Sequence, residues 1–114
     1  MKLLIRREQA EKGLLRKKIR FLLYAKVELT EQENDLIKKY QVEKEPLISK
    51  SITFLGQTVE VHIRVEDLIR GRAWNCENVL TIIHREEQIR AACDNFKTIL
   101  GLMASFGGEE VIEL

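Results

Sequence analysis

The clearest pattern in the chain is a period-two alternation in "KIRFLLYAKVEL", residues 18 to 29. The odd positions Ile19, Phe21, Leu23, Ala25, Val27 and Leu29 are all apolar, whereas the even positions are Lys18, Arg20, Leu22, Tyr24, Lys26 and Glu28. Successive side chains of a strand point to opposite faces, so the segment is predicted to be a strand with one face in a core and the other mainly polar. The shorter run "KLLIRRE" ahead of it is expected to pair with it antiparallel around "QAEKG", with Gly13 accepting the turn conformation that other residues resist.

At Thr30 the period changes. "TEQENDLIKKY" opens with a Thr30 N-cap and places Glu33 three residues on, which is the sequence of a capping box, and Lys38 and Lys39 fall in its last turn, where the helix dipole favours cations. Its apolar stripe is only Leu36, Ile37 and Tyr40, so the helix should be short and lie at the periphery. "QVEKEPLISK" has no periodicity and holds the one proline, Pro46, and is read as a connection. In "SITFLGQTVEVHIRV" a second hairpin is expected, with Ile52 and Phe54 on one arm, Val59, Val61, Ile63 and Val65 on the other, and Gly56-Gln57 as the tight turn. "EDLIRG" reads as one helical turn stopped by Gly71, and "RAWNCEN" as a polar connection around Trp74.

A long amphipathic helix follows. Val79, Ile82, Ile83, Ile89, Ala92, Cys93, Phe96, Ile99, Leu100, Met103 and Phe106 recur at steps of three and four, with a break near Glu86. Asn78 is suited to cap its start and Gly107-Gly108 to end it. From 79 to 106 it would measure about 42 Å at 1.5 Å per residue, enough to require a bend or an overhang in a small domain. The final "EEVIEL" is expected to return as a strand at the sheet edge. The predicted fold is therefore α+β, a single domain over residues 1–114: an antiparallel sheet of two hairpins plus a C-terminal strand, packed against one long C-terminal helix, with a short peripheral helix.

Composition narrows the class without changing the pattern. Of 114 residues, 45% are hydrophobic and 32% charged, as in an ordinary soluble domain whose single core suffices without metal or disulfide staples. No apolar run spans a bilayer, "MKLLIRREQAEK" is far from a secretory signal, and two cysteines fit reduced thiols, so a cytoplasmic protein is expected, with no membrane partner. The net charge is +1 but uneven: residues 1 to 50 carry 13 Lys/Arg against 8 Asp/Glu, and residues 51 to 114 carry 6 against 10. Such asymmetry fits either an acidic partner for the first half or mutual neutralisation within one fold.

Candidate chemistry is sparse. A structural zinc site needs four converging ligands, commonly in short pairs, whereas Cys76, His84 and Cys93 are widely separated. Residues nine apart on a helix are rotated by about 180°, so His84 and Cys93 face opposite sides and Cys93 is read as packing, with no metal expected even if His62 lies nearby. Cys76, close to a helix start, is the better candidate nucleophile, but nothing in the sequence sets a histidine beside it. Glu66-Asp67 and Glu86-Glu87 read as solvated acids, and no phosphate-cradling glycine loop is present. No catalytic residue, cofactor or small-molecule ligand is therefore expected.

Two surfaces remain. Arg6, Arg7, Lys12, Arg16, Lys17, Lys18, Arg20 and Lys26 crowd the first hairpin, and Arg16, Lys17, Lys18, Arg20, Tyr24 and Lys26 are the residues a nucleic acid would contact, with Tyr24 stacking on a base. The other is apolar: Leu22 and Tyr24 interrupt the polar strand face, Leu80 and Leu102 flank the long helix, and Gly101, Ala104 and Ser105 permit close approach. These exceed what a thin two-layer domain buries and point to a second copy. The leading expectation is a small non-enzymatic interaction or assembly protein that forms a homo-oligomer, with nucleic-acid binding through the basic hairpin as the alternative.

Overall fold

The computed structural model describes residues 1–12, 18–54 and 56–114. Its class is α+β, as the hydrophobic pattern predicts. Strands β1 (Lys2–Lys12) and β2 (Lys18–Glu28) form a long antiparallel hairpin, with Lys2 opposite Glu28 and Lys12 opposite Lys18. The turn expected at Gly13 lies outside the described residues. Helix α1 (Glu31–Tyr40) follows at once, and its capping box is formed: the Glu33 amide donates to Thr30 Oγ1 at 3.2 Å, and the Thr30 amide donates to Glu33 Oε1 at 2.9 Å. Only Ile37 of this helix is buried, in keeping with its thin stripe.

The second hairpin is β3 (Pro46–Phe54) with β4 (Gln57–Arg64), and it forms a two-stranded sheet of its own rather than extending the first. β3 begins at Pro46, inside the segment read as a connection, and a proline is tolerated at the first position of a strand. An irregularity between Pro46 and Ile48 turns Leu47 into the core, where its carbonyl accepts a hydrogen bond from Asn95 Nδ2 at 2.9 Å. Phe54 pairs with Gln57, so Gly56, at φ 75°, is in the connection and Gln57 is already in the strand, one residue from the expected turn position. Helix α2 (Val65–Arg70) starts immediately after β4 and stops where expected, at Gly71, whose φ is 85°.

The third strand of the main sheet is the principal correction. It is β5 (Arg72–Cys76), part of the segment read as a connection, and it pairs antiparallel with β2 from Phe21↔Cys76 to Ala25↔Arg72, giving the order β1-β2-β5. Gly71 provides the turn that brings the chain back along β2, and Trp74 and Cys76 then fall on the same buried face as Leu23 and Phe21. The C-terminal strand expected in "EEVIEL" is not formed: residues Glu109–Leu114 carry no strand and are exposed. Six residues, three of them acidic, bring little apolar surface with which to hold an edge position.

Helix α3 (Val79–Ser105) runs unbroken for 27 residues, about 40 Å. Asn78 Oδ1 accepts from the Thr81 amide at 2.8 Å, and Gly107 leaves the helix at φ 90°. The helix lies over the odd-numbered face of β2, burying Ile82, Ile89, Cys93, Phe96 and Leu100 against Leu23, Ala25 and Val27. Its last turn runs past the sheet, and the Phe106 ring meets Tyr40 of α1 edge-on at 5.9 Å. The molecule is elongated, 64 × 32 × 20 Å. Among the described residues no helix is long and apolar enough to cross a membrane.

Candidate functional site

Both cysteines are free and buried. Cys76 ends β5, three residues ahead of the start of α3, and its Sγ donates to the Trp74 carbonyl at 3.9 Å. Burial pushes its thiol up from the usual range, opposed by the nearby Arg85 guanidinium. Cys93 is likewise raised by burial, reinforced by Asp94. A desolvated thiol holds its proton, which is the reverse of what activates a cysteine nucleophile. Among the described residues no group of three His, Cys, Asp or Glu converges as a metal site.

Of the residues singled out for nucleic acid, Arg20, Tyr24 and Lys26 share one face of β2. Arg16 and Lys17 lie outside the described residues, and Lys18 is placed by its backbone opposite Lys12. Arg20 is exposed near the far end of β2, on the face away from α3. Tyr24 shares that face, but its ring is covered by the Arg6 guanidinium of the neighbouring strand, 4.6 Å from the centroid. Its hydroxyl also lies against Gly71, where an added Cβ would come within 2.2 Å of it. Lys26, half-buried, lines an open cavity of about 420 Å³ with Glu28, Asn34 and Ile69. The ring expected to stack on a base thus has a cation over one face already.

A polar cluster absent from the sequence reading ties β1 to α3. Arg7 projects from the odd-numbered face of β1 and binds both carboxylate oxygens of Glu86, with Nε to Oε2 at 2.9 Å; Arg90 Nη2 adds a hydrogen bond to Oε1 at 3.0 Å. The Glu86 carboxyl is held below the usual glutamate range, first by the Arg7 hydrogen bond and then, against burial, by Arg90. The break in the apolar stripe at Glu86 was the signal for it: Arg7 is the basic residue in the inward set Leu3, Ile5, Arg7, and Glu86 is its complement. On the opposite side of the core, Arg72 donates to the His62 carbonyl at 3.2 Å and pairs with Asp67 at 3.3 Å while lying 5.1 Å from the Trp74 ring centroid.

The apolar surface is where the structure departs most from a closed domain. Leu80 and Leu102 are exposed, as expected of the flanks of α3, but so are Val79 and Ile83, which the periodicity assigned to the core stripe. Val79, Leu80 and Ile83 stand 55%, 54% and 47% exposed within the first two turns. Register explains why: β5 ends opposite Phe21, and α3 starts three residues later, beyond the part of the β1-β2 hairpin that, among the described residues, has a third strand. Ile19 of the hairpin is also exposed, so large apolar side chains of both α3 and the hairpin stand uncovered among the described residues. No family model, curated protein or solved structure matches this chain.

Proposed function

We propose that this protein is a small, non-enzymatic cytoplasmic interaction or assembly protein that works as a homo-oligomer. The observation that carries the reading is the exposure of Val79, Leu80 and Ile83 together at the start of α3; Ile19 on the hairpin is exposed as well. Large aliphatic side chains clustered on one surface lose their contact with water when a partner covers them, and a second copy is the commonest partner for such a patch. Raised thiol pKa values and the pairing of Glu86 with arginines are in keeping with structural rather than catalytic roles for these groups.

The test is an Ile83→Lys variant studied by light scattering beside the wild type. A charge buried in an interface without a partner weakens association strongly, so the variant should keep the wild-type circular dichroism and run at lower mass. An unchanged mass would place association elsewhere, and a wild-type monomer would end the reading. Nucleic acid remains the alternative partner, supported by the basic hairpin; its signature would be binding that falls steeply with salt.

A further inference from the structure

The exposed side of α3 carries a pattern that is complementary to itself. A stripe of exposed residues runs along the helix at alternating steps of three and four from Leu80 to Ala104. A seven-residue repeat of this kind is the seam along which two helices pack. The stripe opens with the large side chains Leu80 and Ile83, holds Glu87, Arg90, Asp94 and Lys97 at its middle, and closes with the small Gly101 and Ala104. Read from its two ends, it is opposite in charge and opposite in size.

The four charges are not neutralised within the chain. Glu87, Asp94 and Lys97 form no ion pair among the described residues, and Arg90 shares Glu86 with Arg7. One carboxylate between two guanidiniums leaves one positive charge over, and a guanidinium has five N–H donors, enough to bind a second acid. Arg90, Asp94 and Lys97 also rim an open cavity beside Leu3, so their charged ends can be reached from outside.

Resting on the homo-oligomer reading, we propose that α3 of one copy packs antiparallel against α3 of a second copy, across a two-fold axis level with Ala92. Ala92 is the midpoint of Val79–Ser105, so in this register the two helices overlap over their whole length. The same register sets Arg90 opposite Asp94 of the second copy, Glu87 opposite Lys97, Ile83 opposite Gly101 and Leu80 opposite Ala104, and symmetry repeats each pair. Every acid meets a base, and each large aliphatic side chain meets a small residue that lets the helices approach. A shift of one heptad sets Ile83 opposite Asp94 in one sense and carries it past the end of the other helix in the opposite sense. A parallel pair would set each charge against its own like. An unrelated partner would require no such self-complementarity, whereas two copies of one helix do, and charged seam residues fix orientation and register in this way.

Two full-length variants test this, Glu87→Lys and Lys97→Glu, at exposed positions outside the core and outside the Glu86 cluster. Each replaces both Glu87–Lys97 pairs of its own dimer with like charges, so each alone should self-associate at least about fivefold more weakly than wild type. Mixed in equal amounts, the two restore opposite charges at both places, and the heterodimer should regain wild-type affinity, visible by native mass spectrometry. Lys44→Glu and Glu109→Lys change the net charge equally at exposed positions away from this stripe and should associate as wild type does. If Glu87→Lys and Lys97→Glu associate as tightly as wild type, α3 is not the seam and the proposal fails while the homo-oligomer reading stands. Weakening without recovery on mixing, or equal weakening in the two control variants, also overturns it. A wild-type monomer overturns both.

Discussion

Truncating Phe96 to Ala removes the largest fully buried side chain among the described residues, at the point where α3 meets the sheet. A buried aromatic side chain withdraws about 150–250 Å² from water, worth about 4–6 kcal/mol at about 25 cal/mol per Å². The retained Cβ keeps part of this, and the remainder matches the roughly 3–5 kcal/mol typical of Phe→Ala in cores. A chain of this length has a total stability of about 6–17 kcal/mol at roughly 0.05–0.15 kcal/mol per residue. The variant should therefore lose a large share of its stability, with a Tm about 12–20 °C lower, taking about 4 °C per kcal/mol for a domain near this size. Urea titration by circular dichroism measures it: the midpoint should fall with the slope unchanged, while Leu102→Ala, on an exposed position, should shift stability by less than about 0.5 kcal/mol. A Phe96→Ala loss below about 1 kcal/mol, or a loss as large in Leu102→Ala, would refute the placement of α3 on the sheet.

Other positions give sharper local tests. Thr30→Ala removes the hydroxyl that caps α1 through the Glu33 amide and should cost about 1 kcal/mol in thermal unfolding, with Thr30→Ser close to neutral. Gly71→Ala places a Cβ against the Tyr24 hydroxyl and at a φ of 85°, so it should destabilise by about 1–3 kcal/mol; a neutral result would mean that the turn into β5 is drawn wrongly. Glu86, whose folded pKa is depressed, contributes stability above the usual glutamate value of 4.5 and loses it as pH falls through the lower folded value. Glu86→Gln should thus unfold at a less pH-dependent midpoint in acid than wild type, and identical acid limbs would argue against the Arg7 pairing.

What the sequence disclosed was local. The strand at 18–29, the Thr30–Glu33 box and the span of α3 each follow from side chains within a few residues of one another, and each stands in the structure within a residue or two of its expected bounds. What it hid depends on distant partners. β5 is only five residues, two of them Arg72 and Asn75, and reads as a strand only once β2 supplies its hydrogen bonds and Leu23 stands opposite Trp74. Whether two hairpins share one sheet is likewise decided between segments, here by Leu47 docking on Asn95 of α3 rather than by edge pairing with β1 or β2.

The candidate surface shows the same limit. Periodicity identified the apolar side of α3 but not how far the sheet beneath it extends, so Val79 and Ile83 were read with Ile82 as core, whereas only Ile82 is buried. Of the basic residues, the alternation correctly put Arg20, Tyr24 and Lys26 on one face. It did not reveal that Arg6 lies over Tyr24, because that contact is set by the β1-β2 register.

Sedimentation equilibrium of the wild-type chain, followed from micromolar to submillimolar concentration, tests the central claim most directly. The account predicts a mass that rises with concentration and levels at a whole multiple of the 13.3 kDa chain. A mass that stays at 13.3 kDa throughout would contradict it.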